Sequence, residues 1–122
     1  MKYKTKDSGK RIDYASGMRR DLQDGKPDFY LCLAPMPYEE QLLTRWAELM
    51  TRGAEKYGRD NWTLANSEEE LERFKSSAFR HMVQALSGED DEDHFAGVLF
   101  NLNAIVYLNW KLNGSADSAK VD

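Results

Sequence analysis

Five consecutive carboxylates, Glu89-Asp90-Asp91-Glu92-Asp93, run directly into His94. Part of that run has a structural use. Asp90 or Asp91 can cap a following helix, and Glu92 and Asp93 suit its positive end, worth about 0.3–1 kcal/mol each. Five like charges still repel one another. A divalent cation relieves that repulsion, and oxygen donors are what Mg²⁺ and Mn²⁺ prefer. A capped, solvated turn and a metal site both account for the composition. The adjacent histidines favour the metal.

His81 lies seven residues before Gly88, and His94 lies six after it. A tight turn at Gly88 between antiparallel helices sets the two at similar heights. Ser77 is one turn from His81 on the helix that precedes Gly88, and Asn101 is two turns beyond His94 on one face of the helix that follows it. Leaving a buried polar group unpaired costs about 1–3 kcal/mol, so the four have reason to meet. The cluster is either a structural hydrogen-bond network or part of a site, with His81 and His94 as metal ligands or orienting groups.

Glu48 and Glu55 are seven apart on another helical stretch, nearly opposite its apolar stripe. The simplest reading is a solvent-facing pair. Ala47, Ala54, Thr44 and Thr51 beside them make a small-residue surface that could accept another helix and draw both glutamates into an interface. The following segment, Lys56-Tyr57-Gly58-Arg59-Asp60-Asn61-Trp62, carries cations, an amide and two aromatics. Lys56 and Arg59 can meet phosphates. Tyr57 or Trp62 can stack on a base, and Asn61 can bond a base or sugar edge. The plainer role for Trp62 is to pin its loop to the core.

Three helices must position these groups. The first is expected from about Tyr38 to Tyr57, with Leu42, Trp46, Leu49, Gly53 and Tyr57 at helical spacing and Gly58 as its stop. Glu39 and Glu40 suit its N-terminal end. The second starts at Ser67, with Glu70 completing a capping box, and ends near Ser87-Gly88. The third runs from about Asp91 to Leu112 and is apolar on all sides, which calls for burial and for a second subunit. Residues 1–37 read as an irregular basic arm, with a short extended stretch over Phe29–Leu33. Residues 38–113 read as the helical domain and 114–122 as a frayed tail.

With 122 residues, the chain is the size of one domain. Net charge is −4, from 17 Lys and Arg against 21 Asp and Glu. The first 26 residues carry eight Lys and Arg against four Asp, so a basic arm sits on an acidic body. That pattern suits an anionic ligand near the arm and argues against a nucleic-acid-binding body. Cys32 is the single cysteine, which excludes an internal disulfide and a multi-cysteine zinc site. A reducing, cytoplasmic setting without membrane association is expected.

The chain resembles the phage-associated dATP/dGTP diphosphohydrolases called MazZ, a branch of the all-α MazG-like nucleoside triphosphate pyrophosphohydrolases. The resemblance rests on Ser16-Gly17-Met18-Arg19-Arg20-Asp21 with Gly25-Lys26-Pro27, and on Arg52-Gly53-Ala54-Glu55-Lys56-Tyr57-Gly58 with Asn61-Trp62. It continues through Arg80-His81, Gly88-Glu89-Asp90-Asp91-Glu92-Asp93-His94 and Asn101. It implies an all-α helical bundle, a homo-oligomer (dimer or tetramer), and a cofactor of Mg²⁺ or Mn²⁺. The implied reaction splits dGTP or dATP into the monophosphate and pyrophosphate, in the host cytoplasm for a phage-encoded protein. The broader MazG-like pattern places E-E-x-x-E on one helix and E-x-x-D on the next. Here Ser77, His81, His94 and Gly97 stand at about those places, so that ligand set does not transfer.

On this reading Glu48, Asp93 and His94 are the expected catalytic groups. Glu48, Glu55, His81, Glu89, Glu92 and Asp93 form the metal-ligand pool. Arg20, Lys26, Lys56 and Arg80 meet the triphosphate, and Asn61, Trp62 and Asn101 complete the substrate site. Two rival readings are a non-catalytic nucleotide-binding helical module and a His-Asp-type metal phosphohydrolase. The order Asp93-His94 is the reverse of the pair that the second rival uses.

Overall fold

Between Arg11 and Asp21, arginines and aspartates alternate in a way that lets two short strands pair by charge. The computed structural model describes residues 3–114 and shows that pairing. Strands β1 (Arg11–Asp13) and β2 (Arg19–Asp21) are antiparallel, with Ile12 opposite Arg20 and Asp13 opposite Arg19. Arg19 Nε donates to Asp13 Oδ1 at 2.6 Å across the pair. The expected irregular arm therefore contains a hairpin. Three-residue strands are too short to show an alternating apolar pattern. The extended stretch expected at Phe29–Leu33 is instead a 3₁₀ turn over Phe29–Cys32. The Asp28 side chain accepts from the Tyr30 amide at 3.1 Å and bends the chain there.

Residues up to Cys32 and residues from Leu33 onward are separate compact units. In the second unit, a 3₁₀ turn at Tyr38–Glu40 precedes helix α1, Leu42–Tyr57. The helix thus starts four residues later than its periodicity suggests, and Glu39 and Glu40 belong to the turn. Gln41 makes the break. Its backbone is extended, and its buried side chain is spent on the incoming chain. Gln41 Nε2 donates to the carbonyls of Ala34 and Met36 at 2.6 and 2.8 Å, and Gln41 Oε1 accepts from Ala34 N at 3.1 Å.

Helix α2, Glu68–Leu86, begins at the Ser67 cap as expected. Ser67 Oγ accepts from the Glu70 amide at 3.2 Å, and Glu70 Oε1 accepts from the Asn66 amide at 2.9 Å. Helix α3, His94–Asn109, starts three residues later than expected and runs into a π-turn at Trp110–Gly114. Its cap is Asp93, whose carboxylate accepts from Ala96 N at 3.1 Å, and not Asp90 or Asp91. The expected tail at 114–122 lies, after Gly114, outside the described residues.

Helices α2 and α3 pack antiparallel. Leu71, Leu108 and Ala65 form the buried cluster at one end, with Phe74, Ile105 and Leu112 against it. Lys111 Nζ ties the preceding loop to this end by donating to the Thr63 and Ala65 carbonyls at 2.9 and 2.8 Å. Helix α3 is buried over most of its circumference, but one stripe, Phe95, Leu102 and Val106, reaches the surface. Helix α1 contributes no fully buried residue. Among the described residues, no helix is long and apolar enough to cross a membrane.

Candidate functional site

The turn at Gly88 brings the two histidines together as their spacing requires. His81 Nδ1 lies 2.9 Å from His94 Nδ1, and His94 Nε2 lies 2.7 Å from Asp91 Oδ1. His94 is 2% exposed, while the Asp91 carboxylate reaches solvent. The two helices approach closely here because Gly97 lacks a side chain. A Cβ at that position would stand 2.9 Å from His81 Cγ and Nδ1. Burial, then Arg80 and His94, hold His81 below its ordinary pKa. The hydrogen bond from His94 holds Asp91 below the usual carboxylate range.

His81, Asp91 and Gly97 stand at a cavity of about 480 Å³. Arg52 of α1, Ser77 and His81 of α2, Asn101 of α3, and Asp91 and Glu92 of the turn line it. Asn101 is buried, but its Nδ2 donates to the Gly97 carbonyl of its own helix at 2.8 Å. Of the expected four-residue cluster, the histidines bond directly, while Ser77 and Asn101 share only the cavity.

Asp93 also lines this cavity, but its charge is taken. Arg45 Nε and an Arg45 terminal nitrogen each donate to one carboxylate oxygen at 2.7 Å. That pairing is the main reason the Asp93 carboxyl sits below its usual range. Glu48 and Glu55 are exposed on α1, and Glu89 is exposed in the turn. Among the described residues, no three His, Cys, Asp or Glu side chains gather in a way that could hold a metal ion. No three of the expected pool, Glu48, Glu55, His81, Glu89, Glu92 and Asp93, gather into one such group among the described residues. Asp93 serves as a cap and an ion-pair partner, and Glu55 lines a larger, adjoining groove.

A larger groove of about 1100 Å³ adjoins the first cavity, and Leu49 and Phe100 line both. Its wall carries Arg59, Asn61, Trp62, Arg73 and Phe74, with Glu55 and Glu70 at its edge. Trp62 packs edge-on against Phe100 and Tyr107, with ring centroids 6.1 and 5.5 Å away. It pins its loop and also lines the groove. Its Nε1 is buried without a hydrogen-bond partner among the described residues.

The remaining expected substrate residues are Lys56, Arg80, Arg20 and Lys26. Lys56 lies over its neighbour's ring, with Nζ 5.0 Å from the Tyr57 centroid, and lines neither cavity. Arg80 is exposed and donates to Gln84 Oε1 at 3.1 Å. Arg20 and Lys26 belong to the N-terminal unit, where Lys26 Nζ is 3.8 Å from Asp21 Oδ2. Arg52 and Arg73, which line the cavities, and Arg45, which holds Asp93, were not legible as site residues. Each is one arginine in an amphipathic helix, and only the partner across the fold distinguishes it. Gly97 carried a usable signal, because a glycine inside an otherwise apolar helix marks close approach.

The sequence profile of the family described as "dATP/dGTP diphosphohydrolase, N-terminal" matches residues 12–118. The chain belongs to that family. No curated protein and no solved structure matches it.

Proposed function

We propose that this chain, as a member of the dATP/dGTP diphosphohydrolase N-terminal family, hydrolyses dGTP or dATP to the monophosphate and pyrophosphate. On this reading it is the phage-associated, MazG-like branch of that activity. The observation that carries the reading is the pair of adjoining cavities. One has aromatic walls with Arg59, Asn61 and Arg73, and the other is lined by His81, Asp91 and Glu92. A purine nucleoside suits the first, since aromatic walls and a few polar groups hold and orient such a ligand. The polyphosphate end then reaches the second through the shared Leu49–Phe100 border, with Arg52 beside it.

Mg²⁺ or Mn²⁺ enters on the triphosphate oxygens, where a divalent ion keeps its charge partner without a protein-built cage. When bound, it neutralises charge on the phosphates. The assembly is a homo-oligomer. Phe79, Met82, Val83 and Leu86 form an exposed apolar stripe along α2, and Phe95, Leu102 and Val106 form another on α3. Contiguous apolar surface of this kind is rare on a monomer. A second copy covering it is the reading we adopt.

The test is a screen of all common ribo- and deoxyribonucleoside triphosphates with Mg²⁺ and with Mn²⁺, with products separated by ion-exchange chromatography. The expected products are dGMP or dAMP with pyrophosphate. A deoxynucleoside with inorganic triphosphate would point to the His-Asp-type reaction instead. Tight binding without any product would make the chain a nucleotide-binding module.

A further inference from the structure

We propose that Glu55 is the residue by which this chain prefers guanine to adenine, its carboxylate accepting from both N1–H and the 2-amino group of the base. The inference rests on the diphosphohydrolase reading and deepens it, since that reading leaves the purine open. It starts from what the walls of the larger groove can tell apart. The flat walls are Trp62, Phe74 and Phe100. Trp62 and Phe74 each meet Phe100 edge-on, with ring centroids 6.1 and 6.2 Å away. Stacking on such walls holds any purine, because every base has a π-face. The choice of base therefore falls to the few polar groups that meet its edge.

Among the described residues, three carboxylates line this groove: Glu55, Asp60 and Glu70. Two of them have partners. Glu70 Oε1 accepts from Asn66 N at 2.9 Å and from Ser67 Oγ at 2.7 Å, which completes the cap of α2. Asp60 Oδ2 lies 3.9 Å from Arg59 Nε. The Glu55 side chain has no hydrogen-bond or ion-pair partner among the described residues. It shares the groove with the aromatic walls, and it does not line the smaller cavity of Asp91 and Glu92. Arg73 of α2 lines the same groove and also lacks an ion-pair partner among the described residues.

An ionised carboxylate only accepts hydrogen bonds, and a guanidinium only donates them. Guanine offers two adjacent donors, N1–H and the 2-amino group, to the first. It offers two acceptors, O6 and N7, to the second. Adenine breaks both matches. Its 6-amino group satisfies one carboxylate oxygen, while N1 sets a lone pair against the other. That same amino group replaces O6 and turns N–H toward the guanidinium. A site built for one hydrogen-bond pattern rejects the base that leaves its polar groups unpaired. Glu55 meets the base and not the reacting phosphorus, so its effect falls on affinity and KM.

The test titrates the full chain calorimetrically, with Mg²⁺ present, against the α,β-methylene analogues of dGTP and dATP, which bind without being cleaved. The wild type should bind the guanine analogue at least about tenfold more tightly. In cleavage assays dITP, which lacks the 2-amino group, should show a KM between those of dGTP and dATP. E55Q turns the pattern around, because its amide oxygen accepts from the 6-amino group of adenine while its N–H donates to N1. E55Q should bind the adenine analogue more tightly than the wild type does, and the guanine analogue about tenfold less tightly. A gain for adenine cannot come from a damaged fold. Equal affinity of the wild type for the two analogues, or none for either, overturns the proposal. So does an E55Q variant that weakens both alike, the result that a Glu55 engaged with metal or phosphate would give. If the wild type cleaves neither dGTP nor dATP, the diphosphohydrolase reading falls, and the affinity ratio still decides the role of Glu55.

Discussion

Arg45 and Asp93, 48 residues apart, face each other in a two-pronged ion pair with both nitrogen–oxygen distances at 2.7 Å. The contact fastens α1 to the start of α3, and the same carboxylate caps α3 at the Ala96 amide. Asp93→Ala removes both, and leaves a partly buried guanidinium without its partner. We expect a loss of about 2–3 kcal/mol, set by a lost cap and by charged hydrogen bonds. Urea unfolding measures it. Arg45→Met with Asp93→Ala should show a coupling of about 0.5–3 kcal/mol in a double-mutant cycle. Additive losses would mean that the pair contributes nothing.

The burial of His81 makes stability depend on pH. His81 has a folded pKa below its ordinary 6.5, so the unfolded chain takes up a proton first as pH falls. Its contribution is complete above 6.5 and is lost as pH falls through the folded value. Wild-type urea midpoints should therefore drop between pH 7.5 and pH 5. His81→Gln should flatten that drop. An equal slope in both proteins would mean that another group carries the dependence.

Gly97→Ala tests the close approach of α2 and α3. Alanine favours a helix over glycine by about 1 kcal/mol. Here its Cβ would meet the His81 ring at 2.9 Å, and overpacking costs about 1–3 kcal/mol. The net expectation is a destabilised protein with displaced His81 resonances. In a His81→Ala background the sign should reverse. A stabilising Gly97→Ala in the wild type would show that the helices have room to spare.

Arg73 is exposed on the wall of the larger groove, with no ion-pair partner among the described residues. Losing a charged hydrogen bond to a phosphate or base costs about 1.5–3 kcal/mol, or about 10–100-fold in affinity. Arg73→Ala should raise KM for dGTP by that factor and leave the melting temperature within a degree or two. Unchanged KM would remove the groove from the substrate path.

The exposed apolar stripe on α2 predicts self-association. Leu86 and Phe79 are each 74% exposed, which suits a covered interface better than a free surface. Phe79→Glu with Leu86→Glu should lower the mass seen in sedimentation to that of one chain. A single-chain mass for the wild type would rule out the oligomer.

Much of the fold was legible because it is local. The Ser67–Glu70 cap, the Gly58 and Gly88 stops and the height match of His81 with His94 depend on spacing within or between adjacent helices, and backbone geometry sets that spacing. Helix starts were less legible. Helical spacing extends back to Tyr38, and Asp91 suits a cap by type, but Gln41 and Asp93 commit their side chains to other bonds, and those bonds set where the helices start. The acidic run shows the limit most clearly. Its charge density announced a site, yet five adjacent carboxylates look alike on paper. Only packing told them apart: Asp93 met Arg45 from α1, Asp91 met His94, and Glu89 remained in solvent. Local chain geometry follows from neighbours in sequence, whereas the role of a charged side chain depends on which distant partner the fold places within bonding distance.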